Sequence, residues 1–145
     1  MTPDPQTDVE ARIMTMRIIW MALLITIAIY YGITYFAVRS EDVVPNTTVS
    51  LALICVAVMA VVVSFLIKSR LLGQAVDKQN VGMVQQAYIV TWAITEVAAL
   101  VGLLDFFLAA DRYYHALFVI AALGMLFHFP RRESVVNATF KTSIS

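Results

Sequence analysis

Charge is scarce in this 145-residue chain: 14% of residues are Asp, Glu, Lys or Arg, against about a quarter in an ordinary globular domain. Ten basic residues balance ten acidic ones, so no net field favours a polyanion, and the short basic clusters exclude a nucleic-acid surface. Cysteine is nearly absent. Cys55 is the only one, which excludes an intrachain disulfide and a cysteine-built metal cage; set in LALICVAVMA, it reads as a small core hydrophobe. There is no glycine-rich phosphate loop, no serine or cysteine with a base at helical spacing, no metal-ligand cluster and no internal repeat. Neither enzymatic activity nor a cofactor is expected.

What is abundant is apolar surface, with 61% hydrophobic residues and a mean hydropathy of +0.82. Four segments, at about 14–38, 47–68, 83–110 and 112–130, approach or exceed the roughly 17–25 residues that cross about 30 Å of hydrocarbon as a helix. The last is the shortest. Lipid offers the backbone no hydrogen-bond partner, and no segment alternates polar with apolar residues as a barrel strand does. The expected fold is all-α: residues 1–145 form one transmembrane domain, an integral membrane four-helix bundle with a loop at 69–82 and polar tails at 1–12 and 131–145.

The cations give an orientation. Arg12, Arg17, Lys68, Arg70, Lys78, Arg131, Arg132 and Lys141 fall in the terminal segments and the 69–82 side, whereas the other two connections hold only Arg39 and Arg112. An excess of Lys and Arg marks the cytoplasmic side, so both termini are expected there, in a bacterial inner or plasma membrane. Tyr30, Tyr31, Tyr35 and Phe36, with Tyr113 and Tyr114, form an outer aromatic belt. The first segment is too long for a signal-peptide core and follows an acidic stretch, so it is expected to remain as an anchor. The sequons at Asn46 and Asn137 read as a helix cap and as part of the cytoplasmic tail, respectively, and not as glycosylated sites.

The third segment contains ITEVAALVGLLDFF, with two carboxylates in an otherwise apolar run. Glu96 falls near the middle of the span and Asp105 about 13 Å further out. Asp105 is expected to be an interfacial, hydrated carboxylate, whereas a glutamate stem cannot carry Glu96 back to water. Glu96 must therefore be protonated, paired across helices or turned to a wet interior. Thr91, Thr95, Ala98, Ala99 and Gly102 form a stripe of small residues that lets another helix approach closely, with Glu96 at its edge. Glu96, with Thr95 and Thr91, is the candidate ion-binding set; Thr95, Ala98, Ala99 and Gly102 are the candidate packing set. His115 and His128, near opposite ends of the fourth segment, are too far apart to share a metal and read as interfacial.

From Lys68 onward, an apolar helix, a polar loop with basic residues and a helix with a mid-span carboxylate followed by Gly102-Leu103 resemble the hairpin of the proteolipid c subunits of rotary ATP synthases. The resemblance lies in AITEVAALVGLL and implies that Glu96 occupies the position of the ion-carrying carboxylate. The incoming helix departs from that family, since SLALICVAVMAVVVSF has no glycine to close a tight inner ring. Arg70-Leu71-Leu72-Gly73-Gln74 also stands where the family's loop signature would be.

Two functions follow as expectations. The first is an accessory or structural subunit of a larger membrane complex, its partners being the lipid bilayer and other membrane subunits, or a second copy bound through the third helix. The second is a proton- or cation-handling oligomer with Glu96 as the carrier.

Overall fold

A computed structural model of the chain describes residues 5–37, 44–109 and 112–139. The expected helix ends at 38 and 110, Arg39 in the first connection and Lys141 lie outside the described residues. Among those residues the chain forms five helices and no strand: α1 (Pro5–Phe36), α2 (Thr47–Asp77), α3 (Val81–Leu108), α4 (Tyr114–Phe127) and α5 (Arg132–Thr139). Three of them, α1 from Val9, α2 and α3, are long and apolar enough to cross a membrane, and a fourth span results if α4 and α5 count as one bent helix.

The helix ends follow local chemistry. Asn46 caps α2 by accepting from the Val49 N–H at 3.2 Å, as its place ahead of the second segment suggests. Asn80 caps α3 in the same way, accepting from the Met83 N–H at 3.3 Å. Between them Gln79 takes a left-handed φ of 48°, and the amides of Asn80 and Gln79 return to the carbonyls of Ala75 and Val76 at 3.0 and 3.1 Å. That double closure is the Schellman stop, which satisfies carbonyls that a helix end otherwise leaves open. At the far end of the hairpin the Asn46 N–H donates to the Ala109 carbonyl at 2.9 Å. α2 and α3 are thus pinned together at both ends.

The helices outrun the apolar segments at three places. The expected loop at 69–82 is helical as far as Asp77, leaving only a turn at 78–80. Hydropathy marks where a helix leaves an apolar medium, not where it ends, and Ala75 at the buried face gives the polar extension a packing surface. The expected tail at 1–12 joins α1, which begins at Pro5, where a missing amide costs nothing; Val9 and Ile13 extend the buried line of Met16 and Trp20. The tail after 131 contains α5, which buries Val135 and Ala138.

The fourth segment is corrected most. Expected as one helix over 112–130, it stops at Phe127, and α5 departs at 47°. Pro130 has no amide and biases the residue before it away from helical geometry. The break is buried in part: His128 and Pro130 are fully enclosed while Phe129 is exposed, so carbonyls on the enclosed side need partners inside the protein. Both tryptophans of the chain supply them. Trp20 of α1 donates its indole N–H to the Met125 carbonyl at 2.8 Å, and Trp92 of α3 donates to the His128 carbonyl at 3.0 Å. Trp20 also meets the Phe129 ring edge-on at 5.1 Å.

α3 is the central helix, with 50% of its most apolar stretch buried against 22% for α1 and 17% for α2. The stripe Thr91, Thr95, Ala98, Ala99 and Gly102 is fully buried, as the small side chains require. α2 answers with a seam that the sequence reading overlooked: Ser50, Ala57 and Ser64, seven residues apart and all buried. Cys55, expected in the core, lies on the exposed side of α2. α4 closes the other side, where a Cβ on Gly124 would stand 2.8 Å from Thr95 Cγ2 and 3.1 Å from Val61 Cγ2. Both neighbours are β-branched and hold one rotamer in a helix, so neither can swing aside. Gly124→Ala is expected to destabilise the bundle by about 1–3 kcal/mol in detergent unfolding. Gly73→Ala, with nothing within 4 Å of the added methyl, should instead be neutral or gain up to about 1 kcal/mol.

Candidate functional site

Three polar groups inside the bundle meet across three helices. The Ser64 hydroxyl of α2 lies 2.6 Å from the Val61 carbonyl. Its oxygen lies 2.7 Å from His128 Nε2 and 3.4 Å from Thr95 Oγ1. The serine has one proton for two acceptors: with it on the Val61 carbonyl, His128 donates from Nε2 and Nδ1 keeps a bare lone pair, and with it on Nε2, His128 carries its proton on Nδ1. No described residue hydrogen-bonds that Nδ1. The imidazole packs on Phe65 with ring centroids 4.3 Å apart. His128, expected as an interfacial residue, is fully buried because the break in the fourth segment turns it inward.

The carboxylates exchange their expected environments. Asp105, expected to be hydrated, is fully buried and accepts from the Ser50 hydroxyl at 2.7 Å. The reason is the register of the hairpin: Ser50 and Asp105 are nearly equidistant from the turn at 78–80, so the antiparallel pairing brings them face to face. Ser50 closes the first turn of α2, where exposed amides favour a negative charge.

Glu96, expected to need shielding, is half-exposed at the flank of α3. It lies within two residues of the midpoint of that helix, beside the outward-facing Ile89 and Leu100, and no described residue hydrogen-bonds it. Thr91 and Thr95 do not join it. Both are fully buried and donate back along the helix, Thr91 to the Ala87 carbonyl at 2.6 Å and Thr95 to the Thr91 carbonyl at 2.9 Å. The candidate ion-binding set is therefore divided, with the hydroxyls turned inward and the carboxyl outward. The packing set is brought together, and Gly102 approaches Leu117 and Phe118 of α4.

At the opposite end from the turn, exposed His115 places Nδ1 3.1 Å from the Tyr31 hydroxyl, which also pairs with the Tyr35 hydroxyl at 2.9 Å. These groups close one end of an apolar groove of about 420 Å³ between α1 and α4. Among the described residues no group of three or more His, Cys, Asp or Glu side chains is placed to hold a metal ion.

The sequence reading missed Ser50 and Ser64. Their signal was the seven-residue spacing through Ala57, which sets a row of small residues along one side of α2. No family model, curated protein or solved structure matches the chain.

Ser50 and Asp105 should be energetically coupled. In a double-mutant cycle with Ser50→Ala and Asp105→Ala, unfolding in detergent is expected to show a coupling of about 1–3 kcal/mol, the scale for leaving a buried hydrogen-bonding group without its partner. Additive single effects would contradict the pairing.

Proposed function

We propose that this chain is a small multipass membrane protein with both termini in the cytoplasm, acting as an accessory or structural subunit of a larger membrane complex. Glu96 carries the reading. In a membrane the carboxyl would sit near the centre of the span, where an ionised side chain costs roughly 3 kcal/mol even on the lenient insertion scales, yet no described residue hydrogen-bonds it. Asp105, Thr91 and Thr95 of α3 find partners within the bundle, in Ser50, Ser64 and backbone carbonyls. A group left over in this way is met by a neighbouring subunit, and a helix of that neighbour would cover the flank of Ile89, Glu96 and Leu100.

The cation distribution supports the orientation. Arg17 and Arg132 line one cavity and Lys68 and Arg131 another, at the end where α1 begins and α2 ends, in keeping with a cytoplasmic surface.

The second reading, a proton- or cation-handling oligomer with Glu96 as the carrier, draws on the same exposed carboxyl and on the resemblance to proteolipid hairpins. Because Thr91 and Thr95 face inward, Glu96 would have to complete its site with groups from a second chain.

Substitution at position 96 separates these readings. In gently solubilised membranes the wild-type chain is expected in a particle larger than one copy. Glu96→Gln should keep that assembly, and Glu96→Leu should reduce the assembled population about 3- to 15-fold, the worth of one interhelical hydrogen bond. A monodisperse single chain, or an assembly indifferent to Leu, contradicts the subunit reading. Proton or cation flux in vesicles that is abolished by Gln while assembly persists favours the carrier.

A further inference from the structure

A second cationic cavity, unconnected with Glu96, lies where α2, α3 and α5 converge. It has a volume of about 320 Å³, and Lys68 and Arg131 line it with no acidic residue among the lining side chains. Glu133 belongs to the adjoining first turn of α5 but does not line it. The neighbouring cavity between α1 and α5 also holds two arginines, Arg17 and Arg132, but it includes Glu10 and so supplies its own counter-charge. The Lys68 cavity does not.

The wall is preorganised. The Lys68 ammonium stands 4.5 Å above the ring of Tyr88, an attraction that holds the charge in place. The Tyr88 hydroxyl accepts from the backbone N–H of Arg131 at 3.3 Å and pairs with Ser134 Oγ at 3.1 Å. A phenol that accepts from Arg131 can give its proton to Ser134, which frees the serine hydrogen for a ligand. Two cations and one hydroxyl donor therefore converge on a space already shaped to receive an anion.

The surroundings indicate which anion. Lys68 is the first charged residue after the apolar run of α2, and Arg131 follows the apolar end of α4. Both thus stand where hydrocarbon gives way to headgroups. Phe65 and Phe127 form the apolar side of the cavity, with ring centroids 6.3 Å apart, and both are exposed. A phosphate with a hydrocarbon tail meets the cations at one end and these rings at the other. The cavity is at the small end of ligand sites, enough for a headgroup phosphate but not for a whole lipid.

We infer that the Lys68–Arg131 cavity binds the phosphate of an anionic phospholipid, whose acyl chain lies along Phe65 and Phe127. The inference rests on the membrane reading given above. Inorganic phosphate offers the same headgroup chemistry without the tail.

Full-length protein in mild detergent, titrated with phosphatidylglycerol or phosphatidylcholine and followed by native mass spectrometry, tests it. The first bound lipid should prefer phosphatidylglycerol by roughly 10- to 30-fold, the scale for two interfacial cations. The Lys68→Gln, Arg131→Gln double variant should lose that preference, Lys68→Arg should retain it, and Arg70→Gln, outside the cavity, should leave it unchanged. If the double variant misfolds, Lys68→Met, which keeps the stem beside Tyr88, should still lower the preference about fivefold. Equal retention of the two lipids by the wild type, or an undiminished preference in Lys68→Met, overturns the proposal. Millimolar inorganic phosphate at constant ionic strength should not displace the lipid; displacement overturns the lipid assignment in favour of a free anion. Release of the chain from membranes by alkaline carbonate would count against the membrane reading itself, whereas retention without lipid preference would count against the site alone.

Discussion

The fold depends on one constraint: a chain this apolar must satisfy its polar groups from within. The demand is plain where the fourth segment breaks, since His128 and Pro130 are enclosed by the protein. Open carbonyls in such a place cost several kcal/mol each in an apolar medium. The indole of Trp92 of α3 donates to the His128 carbonyl, and that of Trp20 of α1 adds a second donor to the Met125 carbonyl in the turn before the break, which the His128 amide also reaches. The same bonds that make the break tolerable hold the outer helix α1 to the rest of the bundle. Losing Trp92 would leave the His128 carbonyl without its indole donor, and losing either indole would leave a packing void.

Close approach of helices is the second requirement, and it is met by small residues. The stripe on α3 and the row Ser50, Ala57 and Ser64 on α2 face each other across the hairpin. Serine and threonine serve twice there, being small enough for the backbones to approach and polar enough to partner Asp105 and His128. This explains why α2 needs no glycine to pack on α3.

The helical class and the long apolar helices were legible because hydropathy over twenty residues is a strong signal. The buried stripe on α3 was legible too, because small residues at spacings of three and four share a helical face. Helix ends were less so: the turn at 78–80 depends on Gln79 entering the left-handed region, which composition does not announce. The break at Pro130 was written in the sequence, but whether the segment beyond it folds back depends on contacts of Val135 and Ala138 that appear only in three dimensions. The two carboxylates were assigned by depth alone. Burial depends on angle as well as depth, and the angle had no reference until the hairpin register paired Asp105 with Ser50.

Glu96 is the acid of α3 to which no described residue hydrogen-bonds. The proposed function follows from it: a membrane subunit whose neighbour covers that flank. The most direct test is the environment of the Glu96 flank in a lipid bilayer. A spin label on Leu100→Cys, one turn from Glu96 on the same flank and leaving the carboxyl in place, with Cys55 replaced by Ala, should show low accessibility both to a water-soluble nickel reagent and to oxygen, relative to a label at the exposed Met59 of α2. High nickel accessibility would place the flank at an aqueous boundary, and oxygen accessibility equal to that at Met59 would leave it facing lipid with no neighbour; either result would contradict the account.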